Sequence, residues 1–441
     1  MINYSNYSNV ATLSLPGIVA FESIQGAVVN QVSLTIDKAI GGVSKLNWGN
    51  GTIVDITNGN NIYTSNYAAG SQTYNISIYD NLNLITTFSL YNEDTVDFSL
   101  EQMKKFKNIT HFTASIIKTL SGSLENLPQK LTDFTLNCPT VANLDLLTGT
   151  INNLPATLIN FYLKTRSNNV GGSIDNFKEG LQIITLSGST LAGQWSGNIG
   201  NLPSTLKRFD SVQAFGYTGL IDDLPAGLTH LYIEGGGNLV TGNIGNLPAG
   251  LLDLFIVSST AGPSLTGSLD DLPVGLTRLI LVVCGTFTGS IDNLPSTINE
   301  NTLWISGVGA QCSSITGNIG NLTCTPNQIN FGGLTSITGN FEDLPSTITG
   351  LYFVGNGGAC TTAGSGYPAW VLSVGSFTIN DALLTAEVDN VLIGLAASLP
   401  AGTATINLNG SGATQNQSRS AASNAAVATL QGLGYTIQTK P

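Results

Sequence analysis

Two histidines, five cysteines and a recurring pair of acids are the side chains of this 441-residue sequence that could break bonds. A Ser-His-Asp or Cys-His arrangement would have to recruit His111 or His230. His230 stands beside Tyr232 in the alternating run Leu228-Thr-His-Leu231-Tyr-Ile233, at an outward position, which predicts a surface or ligand contact rather than a catalytic base. No GxSxG, P-loop, HExxH or βαβ-embedded GxGxxG occurs. The acids Asp222-Asp223 and Asp270-Asp271 are types a glycosidase uses. They recur, however, at one slot of a repeated phrase in which Asn176, Asn201 or Asn321 takes the second place elsewhere, so they read as structural. These Asp/Asn turns also lack EF-hand or RTX calcium spacing. Cys138, Cys284, Cys312, Cys324 and Cys360 are odd in number and lack CxxC spacing, and only two histidines could assist them. Small buried thiols are expected, with a Cys312–Cys324 bridge as the alternative and no zinc site. No catalytic residue, metal or cofactor is assigned.

Binding is better provided for. Tyr162, Arg208, Asp210, His230, Tyr232, Phe255, Arg278, Trp304 and Tyr352 all fall at outward positions of short alternating runs. Aromatic rings among hydrogen-bonding groups suit a sugar or a protein epitope. The plainer alternative is that strands favour aromatics for their β-propensity alone. Loops at about 187–196, 258–264 and 307–314 are equal candidates for specificity.

A phrase repeated ten times positions these residues. An apolar residue, Thr/Ser/Gly, Gly, any residue, Ile/Leu/Phe, two mostly polar residues and Leu-Pro run from Leu120-Ser-Gly122 to Leu344-Pro345. The shared glycines Gly122, Gly149, Gly172, Gly197, Gly219, Gly242, Gly267, Gly289, Gly317 and Gly339 are 22 to 28 residues apart. Such a period marks a solenoid whose units bury their apolar faces only by stacking. Most copies continue as Leu-x-x-Leu/Phe-x-Leu/Ile, for example Leu131-Thr-Asp-Phe134-Thr-Leu136 and Leu276-Thr-Arg-Leu279-Ile-Leu281. Each copy should add one strand to a parallel sheet, with extended or 3₁₀ backbone on the other side because Pro follows Leu.

The whole unit, LPxxLxxLxL…(L/I)TGxI, resembles the leucine-rich-repeat family over about 250 residues. It departs from the family where an Asn is expected after the strand, since Gly/Ser/Thr-rich stretches stand there instead. Residues 1–95 lack the repeat and alternate as strands do, as in Val32-Ser-Leu34-Thr-Ile36. Leu46-Asn-Trp48-Gly49-Asn50-Gly51-Thr52 followed by Tyr74-Asn-Ile76 resembles a PKD-like β-sandwich domain, which implies a core Trp48 and a tight Asn50-Gly51 turn. The expected organisation is mainly β. A PKD-like β-sandwich (1–95) would serve attachment or oligomerisation, followed by an N-terminal cap of the repeats (96–118). Then come a leucine-rich-repeat solenoid with a parallel β-sheet on one face (119–372) and a small α/β C-terminal cap of helix-strand-helix-strand form (373–441).

Only 10% of residues are charged against 42% apolar, the net charge is −12 and the pI about 4.4. Without a basic cluster, nucleic-acid binding is disfavoured, and no run is long enough to insert in a membrane. The first lysine is Lys38, so no Sec-type signal peptide is expected. Together the repeats and composition resemble bacteriophage spike or tail-fibre receptor-binding proteins. That resemblance implies a non-enzymatic, homo-oligomeric protein on the virion surface. It would be joined to other virion proteins through its N-terminal domain and bind a host cell-surface glycan or protein receptor. The alternatives are a bacterial cell-surface or secreted leucine-rich-repeat adhesin, and a glycan depolymerase.

Overall fold

The computed structural model describes residues 18–24, 30–67, 73–91, 96–115, 119–138, 146–165, 169–187, 195–212, 216–236, 239–258, 264–299, 302–307, 311–355, 360–362, 364, 366–370, 372, 377–380, 383–409 and 416–440. The chain divides into two compact units, Met1–Gly197 with Asn201–Gly216, and Asn198–Gly200 with Tyr217–Pro441. Among the described residues no helix is long and apolar enough to cross a membrane.

The first unit opens with two antiparallel sheets. In one, Ile18–Ile24 pairs with Thr73–Tyr79, which pairs with Ser44–Asn47, which pairs with Ile53–Ile56. In the other, Asn30–Lys38 lies between Gly59–Tyr67 and Ile85–Tyr91. Alternate residues are buried, among them Val32, Leu34 and Ile36 in one sheet and Ile76 and Ile78 in the other. Trp48 is in the core, with its backbone oxygen accepting from the Tyr67 hydroxyl at 2.9 Å. The Asn50-Gly51 turn closes through the Asn50 side-chain oxygen, which accepts from Thr52 N–H at 3.1 Å.

Both sheets run on into the repeats without interruption. Ile85–Tyr91 pairs in parallel with His111–Ser115, and the ladder continues through Asp133–Cys138, Asn160–Thr165, Ile183–Ser187 and Arg208–Val212. Val96–Ser99, antiparallel to Ile18–Ile24, pairs in parallel with Thr119–Ser123, beginning a second ladder through Leu147–Thr150 and Val170–Ser173. An apolar end that would otherwise be open is thereby closed by hydrogen-bonded strands. Inside, Phe88, Phe112, Phe134 and Phe161 form a file with ring centroids 6.3, 5.8 and 5.5 Å apart.

In the second unit one parallel ladder runs through His230–Glu234, Asp253–Val257, Arg278–Val282, Thr302–Ser306, Gln328–Gly332, Gly350–Val354, Phe377–Asn380, Thr405–Leu408 and Thr436–Thr439. Helices Thr385–Ser398 and Asn424–Gly432 separate the last strands. They are tied by Asp389, which accepts from the Ser420 N–H at 3.0 Å, the Ser423 hydroxyl at 2.6 Å and the Ser420 hydroxyl. Asn416, wholly buried, donates to Ile379 and Leu408 carbonyls and accepts from Leu383 N–H.

Each coil passes from the long ladder to a short second strand, then one 3₁₀ turn such as Ile151–Asn153 or Leu269–Asp271, then Leu-Pro. A Ser, Thr or Asn before the 3₁₀ turn accepts from the N–H two residues on, as Ser268 does from Asp270 at 3.2 Å. The shared glycine is required twice over. Gly242 has φ +120°, and a Cβ there would lie 2.1 Å from Asp222 Oδ2 in the preceding coil.

The two polar residues before Leu-Pro form a ladder between coils. The first member in one coil accepts from the amide of the second member in the next: Asn176 donates to Asn152 at 2.8 Å, Asn201 to Asp175 at 3.0 Å, Asn293 to Asp270 at 2.9 Å, Asn126 to Glu101 and Asn246 to Asp222. The same residue types stand at Glu125/Asn153 and Asp292/Asn321. Where the first member is glycine, the next coil carries Asp instead. Gly200 faces Asp223, Gly245 faces Asp271 and Gly320 faces Asp343, and a Cβ on each glycine would come within 2.8, 2.9 and 2.9 Å of the Asp Cβ. Acceptor therefore meets donor, and an acid appears only opposite a residue with no side chain, which avoids two carboxylates in contact. For Asp222, burial raises the pKa, but the Asn246 amide and Asn243 N–H outweigh it and hold the group below the usual carboxylate range. The Ser290 N–H and Asn293 amide do the same for Asp270.

Candidate functional site

Inward positions of the long ladder are fully buried, Leu279 and Leu281 for instance, so the positions between them point out of the sheet. In the first unit the central outward row is Thr113, Thr135, Tyr162, Thr185 and Asp210, in register on successive strands. Its charges are internally paired. Arg208 Nε lies 2.6 Å from Asp210, which also accepts from Thr185 at 3.4 Å. Burial, and secondarily the charge of Asp210, raises the Tyr162 phenol above its ordinary value. His111 Nε2 lies 3.1 Å from Asp133, and its Nδ1 lies 2.8 Å from the Thr110 hydroxyl. Hydroxyl, imidazole and carboxylate are thus in the order of a nucleophilic relay. The Thr110 hydroxyl, however, donates to the Thr86 carbonyl at 3.2 Å, as Thr132 does to Thr110 at 3.0 Å, so it belongs to a threonine ladder between coils.

The second unit carries a different row at the same position: Tyr232, Phe255, Ile280, Trp304, Asn330 and Tyr352, again in register. The Tyr232 and Phe255 rings stack at 3.8 Å with planes 10° apart. The Arg278 guanidinium carbon is 5.0 Å from the Phe255 centroid and 5.9 Å from that of Tyr232, while Nη1 lies 3.2 Å from Asp253. The Tyr232 hydroxyl donates to Glu234 at 2.7 Å, and His230 Nδ1 is 2.9 Å from the Thr229 hydroxyl. This end of the row is held rigid by its own contacts. Outward direction is not the same as exposure: Asp253 is buried beside Arg278, and Ile280 is only 4% exposed between Phe255 and Trp304. Tyr352 is the most open aromatic of the row at 45%.

The structure brings His230, Tyr232, Phe255, Arg278, Trp304 and Tyr352 onto one sheet face, and Tyr162, Arg208 and Asp210 onto the face of the other unit. Sequence reasoning missed Asn330. Residues 188–194, 259–263 and 308–310, most of the three loops named as specificity candidates, lie outside the described residues. Cys284, Cys312, Cys324 and Cys360 are buried free thiols, so Cys312 and Cys324 are not bridged. Burial pushes the thiols of Cys312 and Cys324 up to about 11, which leaves them unreactive at neutral pH. Among the described residues no three His, Cys, Asp or Glu side chains gather where a metal ion could bind.

No protein-family model matches the sequence, and no curated protein matches it. Among solved structures it is similar to a plant peptide hormone receptor, RGFR1, in complex with RGF2. Identity is 15% and the TM-score 0.43, over 81% of this chain and 63% of that chain. Both units are mainly β and carry leucine-rich-repeat-like parallel coils, the first with antiparallel sandwich strands at its start and the second with a small helical part at its C-terminal end.

Proposed function

We propose that this is a binding protein rather than an enzyme, and that it recognises a cell-surface glycan or protein through the outward sheet faces and the loops beside them. The observation that supports this reading is the register-matched row from Tyr232 to Tyr352. Parallel strands place its side chains about 4.8 Å apart on a rigid backbone, so little entropy is lost when a ligand docks. The finer reading is a bacteriophage spike or tail-fibre protein at the virion surface. Residues 1–95 would attach to other virion proteins and hold copies together, so that weak contacts add up to firm attachment. The repeat sequence, the low charge and the Asn/Thr/Ser/Gly surface support it.

The test is attachment of purified, fluorescently labelled full-length protein to candidate host cells. Saturable binding is expected, reduced more than tenfold by combined Trp304→Ala and Tyr352→Ala, with no new reducing ends released from surface polysaccharide. Reducing ends would favour the depolymerase reading. Unchanged attachment by the double variant would remove the second-unit face from the account.

A further inference from the structure

The row of the second unit has two ends that differ in hydrogen bonding. At Tyr232 and Phe255 the rings stack and the polar groups are taken up internally. At Trp304 and Asn330, partners in register on adjacent strands, the indole N–H and the carboxamide oxygen are shielded from water and have no hydrogen-bond partner. An unpaired buried donor or acceptor is destabilising, so a ligand that satisfies both gains more than one meeting solvated groups. The next strand in register places the open ring of Tyr352 beside Asn330. Trp304 and Tyr352 are thus two strand spacings apart, about 9.5 Å. No position of Thr302–Ser306, Gln328–Gly332 or Gly350–Val354 carries a charged side chain.

We propose that Trp304, Asn330 and Tyr352 form a subsite for an uncharged saccharide. The two rings supply apolar platforms, and the indole N–H and Asn330 oxygen supply one donor and one acceptor for a hydroxyl or acetamido group between them. Both groups turn out of their shielded positions to meet the ligand, the carboxamide and the indole by rotation about their soft terminal torsions. The absence of charge matches a neutral sugar and penalises an acidic one, which would lose its hydration without a cation in return. This deepens the recognition-face reading and rests on it.

The experiment competes the labelled full-length protein off host cells with the neutral and the acidic oligosaccharide fractions of the host cell wall, separated by anion exchange. It is repeated on cells treated with periodate or with protease. The expected result is that the neutral fraction competes, the acidic fraction does not, and periodate abolishes attachment. Trp304→Phe, which keeps a ring and removes the N–H, and Asn330→Ala should each weaken the neutral oligosaccharide about three- to tenfold with an unfolding midpoint that does not fall. Gly250→Ala, at a turn where an added Cβ meets nothing, should change nothing. Attachment that protease removes and periodate spares would overturn the saccharide in favour of a protein epitope and leave the recognition face standing. Full affinity for the neutral fraction in both single variants would overturn the subsite. No attachment by the wild-type protein would sink the function reading itself.

Discussion

Where the first unit sets Thr113, Thr135, Tyr162, Thr185 and Asp210 in its central outward row, the second sets Tyr232, Phe255, Ile280, Trp304, Asn330 and Tyr352 at the corresponding position of its own coils. Beneath both rows the inward residues are alike, Phe134 and Leu136 in one unit, Leu254 and Ile256 in the other, all essentially without exposure. Threonine and aromatic residues both suit strands, so β-propensity is satisfied equally by either row and cannot explain the change. A scaffold that tolerates both has no structural need for the aromatics. Their concentration in the second unit is therefore a property of its surface chemistry.

Four measurements would break or sharpen that contrast. The largest effects belong to the shared core. Phe161→Ala should cost about 3–5 kcal/mol and Leu254→Ala about 2–5 kcal/mol in chemical denaturation. A much smaller loss in either unit would mean that the two cores are not equivalent. Next come the glycines common to both units. Gly242→Ala forces a side chain into φ +120° and onto Asp222, a backbone strain of about 1–3 kcal/mol, whereas Gly250→Ala meets nothing and should stay within about 0.5 kcal/mol.

The third measurement, on Asn246→Asp, sets one carboxylate against Asp222. It should cost about 1–2 kcal/mol at neutral pH after solvent screening, and less as acid protonates the pair. Adding Asp222→Gly should recover most of the loss, because that combination recreates the Gly200/Asp223 arrangement. The smallest effect is acid sensitivity. Asp222 and Asp270 have folded pKa values below their unfolded ones, so their contribution is complete above about pH 4 and declines as pH falls through the folded values. Thermal midpoints should be flat from neutral pH to about 5 and drop below 4. Asp270→Asn should start lower and depend less on acid.

Much of the scaffold was legible in residue order. The Gly-to-Gly spacing, the Leu-Pro turn and the Leu-x-Leu alternation each answer to a steric requirement of one coil, so they can be read one coil at a time. The inter-coil ladder could not be read that way. Asp222-Asp223 looks like a pair of acids, yet the two face opposite neighbours, one meeting Asn246 and the other Gly200. Exposure was equally hidden, since alternation gives the direction of Ile280 but not the bulk of Phe255 and Trp304 on either side. Asn330 escaped because its strand follows Leu322-Thr-Cys-Thr-Pro326, where the Leu-Pro signal is broken.

The exchange of Gly/Asp for acid/Asn between neighbouring coils also limits how such an array can change length. Deleting the coil with Gly245 would bring Asp222 against Asp271, and deleting the coil with Gly320 would bring Asp292 against Asp343. Deleting the coil with Asp270 and Asp271 would leave only an unfilled contact between Gly245 and Asn293. Removing the Gly245 and Asp271 coils together restores a matched pair, Asp222 with Asn293. Around its glycine coils this protein would then grow and shrink in evolution by two-coil cassettes, each glycine coil inherited with the acid coil that follows it, whereas a coil of the acid/Asn kind such as Asp292-Asn293 can come or go singly.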